Sequence, residues 1–287
     1  MSPELQHAVL TWGARERRDL PWRATRDPWA ILVSEVMLQQ TQVPRVIPRY
    51  LAFLQRFPTV AACATASVGE VVAEWVGLGY NRRAVRLHAA ACMVMHEFGG
   101  RFPATARELQ QLPGVGPYTV RALLAFAFED DAAVVDTNVA RVLARVAGRR
   151  LTLREVQAAA DAALPAGEAW AWNQAMLDIG AALCRPVAPR CTACPLAPGC
   201  AWRARGCADP DPALGSAGVS GGQSRFDGSD RQGRGRLVAA LRHGPVPAAR
   251  VPTVMGWPDD ADRAVRVAAT LVVDGLAVVD GGRYRLP

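Results

Sequence analysis

From the N-terminus to about residue 205, apolar residues recur at three- and four-residue spacing, and short Pro/Gly breaks separate the segments. That period predicts amphipathic helices throughout and no strand. The pattern stops at 206–230, where twelve of 25 residues are Gly, Ser or Pro and large apolar residues nearly vanish, as in a flexible linker. It resumes over 231–287. Helices are expected at about 232–243, just before Trp257, and over 259–273, with a Gly-Pro-Val-Pro break after the first. Segments 276–279 and 283–286 flank the turn Asp280-Gly281-Gly282 and predict a hairpin. Three helices and a terminal hairpin suggest a small α+β winged-helix-like module, an architecture that commonly binds DNA.

Composition narrows the class. The chain is 51% apolar, which excludes global disorder, and its 287 residues suit about two domains with their own cores. The longest apolar run, 122–128, is far short of the roughly 20 residues needed to span a bilayer. The first residues are polar and carry no secretion pattern, so a cytoplasmic, nucleoid-associated protein with no membrane partner is expected. All 33 cationic side chains are arginine; against 26 acids they give a net charge of +7, which suits an anionic partner such as nucleic acid. Residues 231–287 hold nine arginines and five aspartates, more than half of that net charge. With no lysine, Schiff-base chemistry from a side-chain amine is excluded.

Seven cysteines in a chain of this kind argue for a metal site rather than a disulfide scaffold. Cys184, Cys191, Cys194 and Cys200 are spaced C-x6-C-x2-C-x5-C. Four soft thiolates on one short loop suit zinc or an iron–sulfur cluster, and one close pair with two longer arms fits a [4Fe-4S] cubane better than the paired knuckles of a zinc ribbon. Cys63 and Cys92 read as small core residues, and no role follows for Cys207.

Two further features carry chemistry. Thr105-Ala-Arg-Glu108 is a capping box, and Leu112-Pro-Gly-Val-Gly-Pro-Tyr-Thr119 follows it. Gly114 and Gly116 allow a tight turn, and Pro117 suits the first position of a new helix whose open amides would accept a phosphate. This is a helix-hairpin-helix pattern. Glu35 lies in a segment where seven of nine residues, 30–38, are apolar, so desolvation should raise its pKa toward that of a general acid. It leads into Gln39, Gln40 and Thr41, polar groups able to hydrogen-bond bases. Asp136 follows a second apolar run and is placed to cap a helix. A protonated Glu35 with an ionised Asp136 is the pairing that cleaves glycosidic bonds through an oxocarbenium-like state.

Taken in order, Leu20-Pro-Trp-Arg23, Ser34-Glu-Val-Met-Leu-Gln-Gln-Thr41, Trp75-Val-Gly-Leu-Gly-Tyr80, the Leu112–Gly116 hairpin, Val135-Asp-Thr-Asn-Val139, Asn173-Gln174 and the four cysteines resemble the MutY-type adenine DNA glycosylases of the helix-hairpin-helix superfamily. The resemblance covers about residues 5–205. It implies an all-α, two-lobed glycosylase core with a [4Fe-4S] loop. The hairpin lobe would run over 28–133 and the cluster lobe over 1–27 with 134–205, followed by the linker and the module. It implies a monomeric base-excision-repair enzyme that flips mispaired adenine, opposite 8-oxoguanine or guanine, out of double-stranded DNA and hydrolyses its N-glycosyl bond. By position, Glu35 matches the acid and Asp136 the carboxylate that stabilises the sugar cation, with Asn138 and Tyr118 in support. Arg18, Leu20, Trp22, Arg23, Val43 and Gln174 match the adenine pocket. Gln39, Gln40, Thr41, Leu78 and Tyr80 match the DNA-facing loops, Gln40 and Tyr80 as wedges in the base stack. Gly114, Val115, Gly116, Tyr118 and Thr119 match the phosphate-gripping hairpin.

The chain departs from the family pattern in three places. Asn81 follows Tyr80 where a second tyrosine is common. Thr137 replaces a glycine beside Asp136. Residues 231–287 stand where a larger Nudix-like domain usually reads 8-oxoguanine. Lyase relatives carry a lysine at the position of Tyr118, so a glycosylase without lyase activity is expected. The alternatives are a thymine glycosylase acting on T·G mismatches and a non-catalytic iron–sulfur protein that binds DNA or senses redox state.

Overall fold

The computed structural model describes residues 1–216 and 225–287. Among the described residues, fifteen α-helices run in chain order: α1 Pro3–Glu16, α2 Pro28–Leu38, α3 Val43–Arg56, α4 Val60–Thr65, α5 Val68–Glu74, α6 Arg82–Glu97, α7 Ala106–Leu109, α8 Pro117–Ala127, α9 Thr137–Ala147, α10 Leu153–Ala163, α11 Ala169–Asp178, α12 Ala201–Ala204, α13 Asp230–Leu241, α14 Val251–Met255 and α15 Ala261–Val273. The described residues also hold three short strands: β1 Val246–Pro247, β2 Val278–Asp280 and β3 Arg283–Arg285.

The chain divides into two units. One comprises Met1–Ile31, Ala104–Arg107 and Val115–Gly222; the other comprises Leu32–Pro103, Glu108–Gly114 and Gln223–Pro287. This differs from the expected lobes. Residues 115–133 fall with the cluster-loop unit because α8 packs along α11. The C-terminal module is not a separate body but part of the second unit.

In the first unit, α9 supplies the central ridge. Asp136 caps its start, Gly148 in the left-handed region (φ 67°) ends it, and Val139, Ala140, Leu143 and Ala144 turn inward. They pack with Val9, Trp172, Met176 and Ile179 into one core, where each fully buried large side chain contributes about 1.5–3 kcal/mol. The expected linker starts later than its composition suggests. Asp211 pairs with the buried Arg145 at 2.5 Å, Ala213 is buried, and Ser216 Oγ accepts the Leu151 amide at 3.2 Å. Small residues here make short-range packing against α9 and α10 possible. Positions 217–224 of the expected linker lie outside the described residues.

In the second unit, Val46, Tyr50 and Phe53 form the inner stripe of α3. Phe53 stands edge-on to Trp75, with ring centroids 5.9 Å apart, in the geometry aromatic quadrupoles favour. In the module, α13, α14 and α15 enclose Leu237, Val238, Leu241, Met255, Val267 and Leu271. The antiparallel sheet has the order β1-β3-β2. The Gly-Pro-Val-Pro segment, expected as a break, thus gives a strand whose Val246 pairs with Tyr284; two residues are too few to show an alternating pattern.

The module is fastened to the helices before it. The Gly69 amide, in the first turn of α5, donates to the Pro287 carbonyl at 3.1 Å, and a Cβ at Gly69 would come within 2.3 Å of that oxygen. Arg242 donates to the Val72 carbonyl at 3.0 Å, and Arg82 pairs with Asp274 at 3.3 Å.

Candidate active site

Asp136 sits at the N-cap of α9, half-buried. One carboxylate oxygen accepts the Val139 amide at 2.7 Å and the other accepts Asn138 Nδ2 at 2.8 Å. Burial pushes this carboxyl above its ordinary value, while those donors and the Arg141 guanidinium pull it back toward the ionised form. Burial is the largest of these effects, so the net shift is upward from the ordinary carboxylate value. The segment leading into Asp136 is held by Asn173. Its Oδ1 accepts the Val134 amide at 2.8 Å, and its Nδ2 donates to the Ala132 and Ala169 carbonyls at 2.9 and 2.8 Å.

Behind Asp136 a chain of hydrogen bonds leads to the cysteine loop. Arg141 Nη2 donates to Asn138 Oδ1 at 2.8 Å and to the Gly180 carbonyl at 2.7 Å, and its Nε donates to the Cys184 carbonyl at 2.6 Å. Gly180 opens onto Asn138 so closely that a Cβ would stand 2.6 Å from the Asn138 Cβ. It lies in the π turn Ile179–Leu183, a distortion common at functional sites. Sequence reasoning missed Arg141, although its spacing of three from Asn138 places both on one helix face.

Two expected pocket residues are engaged elsewhere. Arg23 donates both terminal nitrogens to Asp178, at 2.7 and 3.0 Å, and Arg18 donates its Nε to the same carboxylate at 2.5 Å. Burial alone would raise the Asp178 carboxyl, but the two guanidiniums hold it below its ordinary value. Both arginines thus anchor the Leu20–Arg23 turn on α11. Leu20, Trp22 and Gln174 are buried in the same unit, whereas Val43, half-buried at the start of α3, belongs to the other.

In the second unit Glu35 is 6% exposed, on α2 among Val33, Val36 and Met37. Two loops follow it. Gln40 (φ 55°) tops the first, and Tyr80 (φ 45°) tops the second, both in the left-handed region that non-glycine residues seldom enter. Buried Arg83 joins them. Nη1 donates to the Val36, Met37 and Gln39 carbonyls at 2.6–3.0 Å, and Nη2 donates to Thr41 Oγ1 and the Leu78 and Gly79 carbonyls at 3.1–3.2 Å. Burial pushes its guanidinium down to about 10, leaving it charged at neutral pH. Gln39 is half-buried, Gln40 and Tyr80 are exposed, and Leu78 is buried, its carbonyl taken up by Arg83 and Thr41.

At the hairpin, Gly114 takes φ 84° and Gly116 caps α8. The side chains of Val115 and Thr119 are buried and Tyr118 is half-buried.

Cys184, Cys191, Cys194 and Cys200 all line one space, partly open to solvent, with Val142, Leu196 and Trp202 around them. Arg145 Nη1 donates to Cys184 Sγ at 3.3 Å and to the Arg185 carbonyl at 2.8 Å, under the Asp211 carboxylate. Among the described residues no three His, Cys, Asp or Glu side chains converge on a single metal ion. Four soft thiols lining one apolar space are the donor set that an iron–sulfur cluster takes. Burial, together with the neighbouring Cys207, raises the Cys191 thiol, which gives Cys207 a place beside the loop.

Residues 33–164 match the family described as HhH-GPD superfamily base excision DNA repair protein. The chain is 39% identical over 284 residues to an adenine DNA glycosylase of Mycolicibacterium smegmatis, covering 97% of this chain and 94% of the relative. It is 41% identical over 236 residues to the human adenine DNA glycosylase, covering 75% and 42%. The mycobacterial match thus takes in most of the module. Among solved structures, a thermostable thymine-DNA glycosylase superposes with a TM-score of 0.66 at 31% identity over 70% of this chain and 95% of that one. An endonuclease III–DNA complex superposes with a TM-score of 0.61 at 23% identity, over 71% and 94%, which supports the fold.

Proposed function

The chain belongs to the adenine DNA glycosylases of the HhH-GPD superfamily, enzymes that remove adenine in base excision repair, and from that premise we propose how its residues divide the work. The substrate is duplex DNA carrying adenine opposite 8-oxoguanine or guanine, with the adenine turned out of the stack. Glu35, carried on the apolar α2, donates a proton to the departing adenine. The bond from the sugar C1′ to the base nitrogen breaks with its electron pair leaving on the base. The Asp136 carboxylate then stabilises the positive charge on the sugar, and water adds at C1′, its released proton returning to the Glu35 carboxylate, to leave an abasic site. Asn138 fixes the direction of Asp136, and Tyr118 supports it. Arg18, Leu20, Trp22, Arg23, Val43 and Gln174 frame the adenine. Arg18 and Arg23 do so by anchoring the Leu20–Arg23 turn through Asp178. Gln39, Gln40, Thr41, Leu78 and Tyr80 meet the bases or the strand, and the amides of Gly114, Val115, Gly116, Tyr118 and Thr119 grip a phosphate.

The observation that carries this reading is the setting of Asp136. Its carboxylate is fixed by two donors at 2.7–2.8 Å at a helix N-terminus, whose dipole favours the ionised form when a cation develops nearby. Cys184, Cys191, Cys194 and Cys200 would hold a [4Fe-4S] cluster, which supplies a covalent tie across the loop. With no lysine in the chain, no side-chain amine is available to open the abasic sugar, so the product stays uncut.

The test is single-turnover base release from duplexes with A opposite 8-oxoguanine, G and C, and T opposite G. Release of adenine opposite 8-oxoguanine and G, with no strand scission, is the expected result. Release of thymine alone would favour the T·G reading that the thymine-glycosylase likeness suggests.

A further inference from the structure

The module has no part in the reaction so far, yet its first helix touches a loop that does. Arg231 Nη1, in the first turn of α13, donates to the Tyr80 hydroxyl at 3.1 Å. Tyr80 is 40% exposed and tops its loop with a positive φ, and Arg83 holds the loop's backbone from within, its guanidinium 5.7 Å below the Tyr80 ring. The base of the ring is thus fixed by Arg83, and its tip is held from the module.

The module end of this contact is built to stay still. Ser229 caps α13, and Asp230 accepts Arg263 Nε at 2.8 Å. Arg263 also donates to the Gly228 carbonyl at 2.8 Å and lies 4.0 Å over the Trp257 ring. A Cβ at Gly233 would come within 2.3 Å of Trp257, so α13 lies directly on that ring. The contacts of Gly69, Val72 and Arg82 with Pro287, Arg242 and Asp274 then fix the module to the helices that carry Tyr80. A guanidinium on a braced turn, bonded to a phenol on a strained loop tip, limits where that ring can go.

We propose that Arg231 is a positioning residue for Tyr80: the C-terminal module holds the wedge tyrosine at the angle needed to enter the base stack while adenine leaves it. The proposal rests on the reading of Tyr80 as a wedge. It gives the module a role in base flipping apart from general attraction to DNA. A lost hydrogen bond of this kind is worth a few-fold in rate.

The experiment uses the full chain as wild type, Arg231→Gln, Arg231→Lys, Tyr80→Phe and Arg231→Gln/Tyr80→Phe, with Tyr80→Ala as reference and exposed Arg285→Gln as a control for lost charge. Flipping is read by 2-aminopurine placed beside the target adenine, base release by single turnover, and folding by the melting temperature. Arg231→Gln should lower flipping and base release about three- to tenfold with an unchanged melting temperature. Arg231→Lys should recover part of the loss, and Arg231→Gln should add nothing in the Tyr80→Phe background. Additive losses in the double variant, or a loss equalled by Arg285→Gln, would overturn the proposal. So would unchanged flipping in Arg231→Gln when Tyr80→Ala impairs it. If Tyr80→Ala itself leaves flipping intact, the wedge reading fails and the proposal falls with it.

Discussion

Arg141 donates from Nη2 to Asn138 Oδ1 at 2.8 Å and from Nε to the Cys184 carbonyl at 2.6 Å, so one side chain spans from the group that orients Asp136 to the first cysteine of the loop. Arg141 is buried, and its third partner, the Gly180 carbonyl, lies in the π turn between α11 and that cysteine. The cysteine loop and Asp136 therefore share a support. Arg141→Gln should lower base release about tenfold or more and cost about 2–4 kcal/mol of stability, because buried acceptors lose their donor. Single-turnover kinetics and urea unfolding would measure both. Unchanged kinetics in a destabilised variant would mean the chain of bonds does not reach Asp136.

Asp136 gives a prediction whose sign is set by burial. Burial raises its carboxyl pKa in the folded protein, so the folded state binds that proton more tightly than the unfolded chain. Its contribution to stability is complete below the unfolded pKa and is lost as pH rises through the raised folded value. Asp136→Asn removes the charge and keeps a good helix cap. The variant should match wild type in melting temperature at acid pH and equal or exceed it above neutrality, while base release falls by about 10²–10³-fold. A melting temperature that drops further below wild type as pH rises would contradict it.

Much of this site is legible in the chain. The capping position of Asp136, the cysteine spacing, the hairpin glycines and the apolar setting of Glu35 are local patterns, and the helices that carry them form where the period puts them. What is not legible is long-range and made of arginine. Asp178 sits in an apolar helix, yet its partners Arg18 and Arg23 come from some 155–160 residues earlier. Asp211 falls in a segment that composition marks as linker, but it closes on Arg145, 66 positions away. With every cation an arginine, nothing in the residue type separates a surface charge from a buried strut. Only the fold distinguishes Arg23, Arg83, Arg141 and Arg145 from the rest.

Arg83 is such a strut. Its two terminal nitrogens serve six acceptors on the α2 end, the Gln39–Thr41 loop and the Gly77–Tyr80 loop. Arg83→Met should leave those buried carbonyls without a donor and cost about 3 kcal/mol or more. Arg83→Lys keeps the charge but has three donors on one nitrogen, which cannot reach both loops, so it should rescue little. Hydrogen exchange should accelerate at residues 38–41 and 77–80 in both variants. Protection that survives there would show that the loops stand without the arginine.

The pairing of Arg145 with Asp211 bears on the cysteine loop. Arg145 is 2% exposed, lies 4.5 Å over the Trp202 ring, and donates to Cys184 Sγ and the Arg185 carbonyl. Asp211 balances its charge at 2.5 Å. Asp211→Asn would leave a buried guanidinium without its counter-charge, at a cost of about 3–5 kcal/mol. The loop should then hold iron less firmly: iron per chain after purification should fall, and the remainder should be lost faster to a chelator, while Asp209→Asn, next to the turn but outside this pair, behaves as wild type. If Asp211→Asn keeps its full iron and releases it at the wild-type rate, the clamp supports only the chain after Cys200 and not the loop itself.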